Sequence, residues 1–87
     1  MAKKVWHVEI GGKPHVIEVL FSRLIGGGKV FVDGKLIDVW SPGLLQGPAI
    51  RRFKLDGRDV ILEGTTLSYV LYVDGEKIEP KKKNIIA

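Results

Sequence analysis

Few side chains in this chain could do chemistry, so their spacing is the first test of function. There are two histidines, His7 and His15, and no cysteine. If "VWHVEI" (5–10) and "HVIEVLF" (15–21) form a hairpin about "GGKP" (11–14), the two imidazoles lie roughly opposite each other, with Glu9 and Glu18 nearby. Two imidazoles and a carboxylate are a set that can hold a metal. Strand alternation argues against it, because His7 and the even-numbered Glu18 then fall on opposite faces. A half-exposed histidine, and a second one at a strand start bonding a neighbour's backbone, account for the pair. No metal and no cofactor are expected.

Other chemistry is weaker still. Ser22, Ser41 and Ser68 lack the Gly-x-Ser-x-Gly context of a strained nucleophile, and a triad would have to recruit one of the two histidines. "IGGGK" (25–29) has the glycines of a phosphate loop but not its Gly-Lys-Ser/Thr ending, and no helical pattern follows to offer a dipole. Carboxylate pairs for glycoside hydrolysis are open on spacing alone. An 87-residue sandwich, however, has little room for a pocket of the usual size. The chain is not expected to be an enzyme.

The acidic residues are better read as turn chemistry. "VFVDGKLI" (30–37) and "LYVDGEKI" (71–78) nearly repeat each other, and "KLDGRD" (54–59) uses the same device. Asp-Gly between two apolar runs is the strongest short-range hairpin signal. A type I′ turn needs positive φ at both central residues, which glycine adopts freely and Asp tolerates by bonding locally. A calcium loop would crowd several oxygen ligands into a dozen residues, whereas each of these pairs stands within two positions of a lysine or arginine. The Asp-Gly pairs are 23 and 18 residues apart, so no solenoid or propeller period exists.

These turns punctuate a chain whose apolar period is two almost throughout. Trp6, Val8 and Ile10 alternate with His7 and Glu9; Ile17, Val19 and Phe21 alternate with Val16, Glu18 and Leu20. "KVFV" (29–32), "KLIDVW" (35–40), "RRFKL" (51–55), "DVILE" (59–63), "LSYVLYV" (67–73) and "EKIE" (76–79) follow, which makes about eight strands and no helix. The expectation is all-β: a small antiparallel β-sandwich joined by Asp-Gly hairpins, in preference to a small closed β-barrel. "SPGLLQGPA" (41–49) is the natural place for the chain to cross between sheets. One domain is expected over 1–80, with a basic, solvated tail over 81–87.

The net charge of +4 invites a nucleic-acid reading, but Lys3, Lys4, Lys81, Lys82 and Lys83 carry it at the two ends. Between Val5 and Pro80 there are nine basic and ten acidic residues. A nucleic-acid domain should show a basic stripe on its folded body, and only "RRFK" (51–54) approaches one. No apolar run reaches the roughly 18 residues of a membrane span. The N-terminus has no apolar core of a signal peptide, and a cytoplasmic protein is expected.

Trp6, Phe21, Trp40, Phe53 and Tyr69 fall where a core wants them. The second faces are less polar than a solvated sheet should be. Phe31, Val70 and Tyr72 alternate against core neighbours, as do Val16 and Leu20. Exposed together, these five would form an apolar patch of the kind that marks a protein-binding surface.

With the elements in place, the stretch from Trp6 to Lys35 resembles a domain of the Fas apoptotic inhibitory molecule family. The elements that carry the resemblance are Trp6 and Val8, a turn, His15, Ile17 and Glu18, the glycines of 26–28, and "VDGK" (32–35). Trp40, Phe53 and "YVLYVDGEKIEP" (69–80) fit the remainder more loosely. The resemblance implies an all-β sandwich with no catalytic residues, acting by protein contacts in a cytoprotective, anti-apoptotic or anti-aggregation role. Such animal proteins have two tandem domains and this chain has one, so a surface shared by two domains would require a homodimer. The partner expected is a protein, with neither nucleic acid nor membrane. A second expectation is a docking β-domain of a larger assembly such as a biotin-dependent carboxylase, or a carbohydrate-binding module.

Overall fold

Period-two alternation and tight turns leave the chain one economical course, a meander. A computed structural model describes residues 1–24, 26–41 and 49–87. Among them are nine strands: β1 (Ala2–Ile10), β2 (Lys13–Phe21), β3 (Gly28–Val32), β4 (Lys35–Trp40), β5 (Ile50–Leu55), β6 (Arg58–Gly64), β7 (Tyr69–Val73), β8 (Glu76–Ile78) and β9 (Lys83–Ile86). They form a five-stranded sheet, β4-β3-β2-β1-β9, and a four-stranded sheet, β5-β6-β7-β8. The fold is a β-sandwich, and the barrel alternative does not hold because neither sheet closes on itself.

Each sheet is one uninterrupted antiparallel meander plus, in the first, β9. The chain passes from one sheet to the other between Trp40 and Ile50. Residues 42–48 of the stretch expected to make that crossing lie outside the described residues, as does Ile25 of the glycine loop. The expected solvated tail is corrected at its end. Lys83–Ile86 adds to β1 in parallel, pairing His7 with Lys83 through Ile10 with Ile86. Asn84 fixes this addition: its amide nitrogen donates to the His7, Glu79 and Lys82 carbonyls, and its oxygen accepts from Glu79 N–H.

The Asp-Gly pairs are turns, as the sequence implied. Asp33 and Gly34 have φ of 51° and 83°, and Asp56-Gly57 and Asp74-Gly75 repeat the pattern, as does Gly11-Gly12. Positive φ at both central residues matches the turn's twist to that of the strands. A meander alternates its connections, so all four two-residue turns gather at one end of the sandwich. The described ends of the longer connections, Ser22 and Gly27, Ser41 and Ala49, and Thr65 and Ser68, gather at the other.

Between the sheets lies one apolar layer. Trp6, Ile17, Val19, Val30, Val60, Leu62, Leu71 and Val73 have no exposed surface at all, and burying each aliphatic side chain of this kind is worth about 1.5–3 kcal/mol. At the loop end the layer finishes in aromatic rings. Phe21 meets Tyr69 edge-on with centroids 4.8 Å apart, and Trp40 Nε1–H donates to the Tyr69 hydroxyl at 3.1 Å. Trp40 lies against Gly28, where an added Cβ would stand 2.8 Å from the indole and 2.7 Å from the Leu20 carbonyl oxygen. At the turn end the layer finishes in a histidine.

Candidate functional site

The register of β1 and β2 separates the two histidines. His7 pairs with Val16, and Val8 pairs with His15, so the imidazoles lie on opposite faces of the sheet and not opposite each other. His7 is exposed on the outer face, which the register gives to Glu18 as well, so the two do not lie on opposite faces as alternation suggested. His15, in step with Ile17 and Val19, points inward and is only 5% exposed. Among the described residues no group of three His, Cys, Asp or Glu is arranged to hold a metal.

His15 does something else. Its Nδ1 lies 2.7 Å from Asp33 Oδ2 on the β3–β4 turn, and its Nε2 lies 2.6 Å from Asp56 Oδ2 on the β5–β6 turn. The two carboxylates belong to different sheets, so the imidazole bolts the sandwich together at its turn end. Burial alone would lower the His15 pKa; the hydrogen bonds and charges of Asp33 and Asp56 outweigh it, and the pKa is raised. In Asp33 it is lowered, first by the Val16 N–H that donates to Oδ1 at 2.8 Å and then by His15. An imidazole with both nitrogens donating has no lone pair left to accept a proton or bind a metal. This group is structural. The cue was the odd-numbered parity His15 shares with Ile17 and Val19, which sends a polar ring inward and requires partners there.

The five residues read as an apolar surface all lie on outer faces, but on two different ones. Val16, Leu20 and Phe31 are on the five-stranded sheet, where Phe31 pairs with Glu18 and with Leu36. Val70 and Tyr72 are on the four-stranded sheet, beside Glu63 and Ile61. The whole core layer stands between the two sets, so no single patch contains all five.

The two outer faces are unequal. Of the large apolar side chains exposed on strands, Val16, Leu36, Ile37, Val39 and Ile85 belong to the five-stranded sheet, and Ile50 alone to the other. On the four-stranded face Ile61, Val70 and Tyr72 are half-buried among Arg52, Lys54, Asp59, Glu63 and Lys77. Leu36, Ile37 and Val39 were not among the residues singled out from the sequence. "KLIDVW" disguises them, because a bulge between Val30 and Phe31 shifts the register at Ile37. That shift puts Leu36 and Val39 on the outer face and turns Asp38 toward Arg51, which it holds in a two-pronged ion pair at 2.6 and 3.0 Å.

The candidate surface is therefore the outer face around Val16, Phe31, Leu36 and Val39. No protein-family model matches the chain, and neither does any curated protein or solved structure.

Among the described residues, strand β4 also leaves one side of its backbone without a neighbouring strand. That edge carries the devices that discourage pairing with a foreign strand: a bulge, Lys35, and Asp38, whose Oδ1 accepts from the Val39 N–H at 2.8 Å. The geometry favours contact through the face and opposes strand addition at the edge.

Proposed function

We propose that this chain is a non-enzymatic protein-interaction domain that binds a protein partner through the outer face of its five-stranded sheet. The observation that carries the reading is the concentration of Val16, Phe31, Leu36 and Val39 on that face; Val16, Leu36 and Val39 are 40%, 48% and 57% exposed. Exposed apolar side chains gathered on one face, even interleaved with Glu18 and Lys29, are costly to leave in water and mark interaction sites. The resemblance to the Fas apoptotic inhibitory molecule family, carried by Trp6 through Lys35, supports the same class. It suggests a cytoplasmic, cytoprotective role in which partly unfolded proteins are held. A carbohydrate-binding role has less support, because Tyr69 is buried and only Tyr72 of the two tyrosines reaches an outer face.

The test is light scattering from a heat-aggregating client protein with substoichiometric amounts of this chain, alongside size-exclusion light scattering of the chain itself. Suppression is expected for the wild type. It should be lost in Phe31→Ser/Leu36→Ser and kept in Val70→Ser/Tyr72→Ser, each variant having first been shown to fold. No suppression by folded wild-type protein sinks the holding role. Equal loss in both pairs removes the assignment to this face.

A further inference from the structure

At the end of the sandwich away from the Asp-Gly turns, Arg23, Gly27, Ser41, Ala49, Leu67 and Ser68 are among the residues lining a half-open cleft of about 560 Å³. That is within the range of small-molecule sites, and it corrects the expectation that so short a chain has no room for one. The cleft lies at the far end of β2 from the His15 bolt, so nothing in the structural role of that group touches it.

Its lining has a definite chemical character. Trp40 and Tyr69, each less than a tenth exposed, border it, Arg23 and Arg51 supply guanidinium groups, and Thr66 and Ser68 supply hydroxyls. No carboxylate lines it among the described residues. Arg51 is neutralised by Asp38 and lies over the Trp40 ring. Arg23 has no acidic partner among the described residues: its Nε donates to the Leu67 carbonyl oxygen at 3.2 Å, and its two terminal nitrogens remain to be used. Lys4 adds a second positive charge just behind the wall, donating to the Ser68 hydroxyl at 3.2 Å and the Tyr69 carbonyl oxygen at 2.7 Å.

The hydrogen-bond directions favour the same sign of ligand. The Ser68 hydroxyl accepts from an ammonium and the Tyr69 hydroxyl accepts from Trp40 Nε1, so each has its own proton left to give. The wall thus offers unspent donors and a net positive charge beside two largely buried aromatic rings. An anionic head meets donors and guanidinium there.

We propose that this cleft binds a small organic anion, a carboxylate or phosphate ester on a compact unsaturated body, with Arg23 and Ser68 holding the charged head and the body seated beside the largely buried Trp40 and Tyr69 rings. This site is independent of the outer-face reading and stands or falls without it.

The experiment is a heteronuclear NMR titration of the full chain with phenyl phosphate, benzoate and neutral benzyl alcohol. Phenyl phosphate and benzoate should give saturable shifts of the Trp40 indole N–H and the Gly27 and Gly64 amides, with Kd at or below about 1 mM for the better of the two. Which anion binds more tightly distinguishes the phosphate ester from the carboxylate. Benzyl alcohol should bind about tenfold more weakly, and Arg23→Gln should weaken the anions at least about fivefold. Ser68→Ala is the second variant, expected to weaken them less. No saturable shift at those signals, equal binding by benzyl alcohol, or unchanged affinity in both variants with native spectra would each overturn the proposal.

Discussion

The β3–β4 and β7–β8 turns are built to one local plan and differ in what surrounds it. In each, an Asp at positive φ exchanges bonds with the neighbouring strand. Asp33 N–H donates to the Val16 carbonyl oxygen and Asp33 Oδ1 accepts from Val16 N–H, each at 2.8 Å; Asp74 makes the same two bonds with Asp59, at 2.8 and 3.0 Å. In each, Oδ2 then takes the side chain one residue earlier on that strand, His15 in the first case and Arg58 in the second. From there they diverge. His15 is buried and carries the contact on to Asp56 in the other sheet. Arg58 also reaches across, donating to the Ala87 carbonyl oxygen beyond β9, but it does so at the rim, its ion pair with Asp74 more than a third exposed on both sides. The comparison teaches that the turn code is local, whereas its energetic weight is set by whether the partner side chain faces the core.

The strongest way to break the contrast is to remove the bolt. His15→Ala deletes two charge-assisted bonds and leaves a gap under two turns. With the partial exposure of both carboxylates discounting the electrostatic part, a loss of about 3 kcal/mol is expected. In a domain of this size that lowers the melting temperature by roughly 15 °C. Arg58→Ala removes the corresponding side chain from the other turn and should lower it far less. Comparable losses in thermal melts of the two variants would show that burial does not separate the turns.

A finer cut removes the acceptor and leaves the strand residue alone. Asp33→Asn keeps the turn geometry, since Asn also tolerates positive φ, but loses the charge that orients His15 toward Asp56 from within its own sheet. It should cost about 1–2 kcal/mol by urea unfolding. Asp74→Asn should cost clearly less, because water and salt already screen its pairing. A larger loss for Asp74→Asn than for Asp33→Asn would reverse the assignment of which turn matters.

The shared half of this plan was legible in the sequence and the divergent half was not. Asp-Gly between β-branched runs specifies a two-residue turn through backbone sterics alone, so three turns and most strands could be read directly. Parity set Ile17, Val19 and Phe21 on one face for the same reason, and that face is buried. What could not be read depends on long-range geometry. The partners of His15 come from Asp33 and Asp56, the second 41 residues away in the other sheet, and no local pattern encodes that meeting. The strand at 83–86 was hidden because "KNII" follows a lysine run and finds its ladder only beside β1. On the candidate surface, Val16, Leu20 and Phe31 were visible by alternation, but the bulge that adds Leu36 and Val39 breaks the alternation on which that reading relied. Nothing local showed that Val70 and Tyr72 belong to the opposite face.

The smallest expected effect sharpens the comparison most, because it has a sign on only one side. The His15 pKa is raised in the folded chain despite burial, through Asp33 and Asp56, so its contribution to stability is fully present below the ordinary histidine pKa of about 6.5. It is lost as pH rises through the raised folded value. Above that, a neutral imidazole presents one bare nitrogen to a carboxylate and the bolt loosens. The pKa of Asp33 is lowered, so its contribution holds above the ordinary carboxylate value and is lost as pH falls through the lower folded one. Stability from this turn is therefore greatest between roughly pH 4 and 6.5 and declines on the alkaline side. The Asp74 pKa is also lowered, first by the Asp59 N–H and then by Arg58, which gives an acid limb; its arginine partner stays charged throughout, so no alkaline limb accompanies it. Melting temperatures between pH 6 and 9 should fall in the wild type and in Asp74→Asn. The slope should be flatter in His15→Gln, which keeps a polar side chain there and removes the titration. A wild-type slope that survives unchanged in His15→Gln would mean that the alkaline loss arises elsewhere, and the buried turn would differ from the exposed one in strength alone.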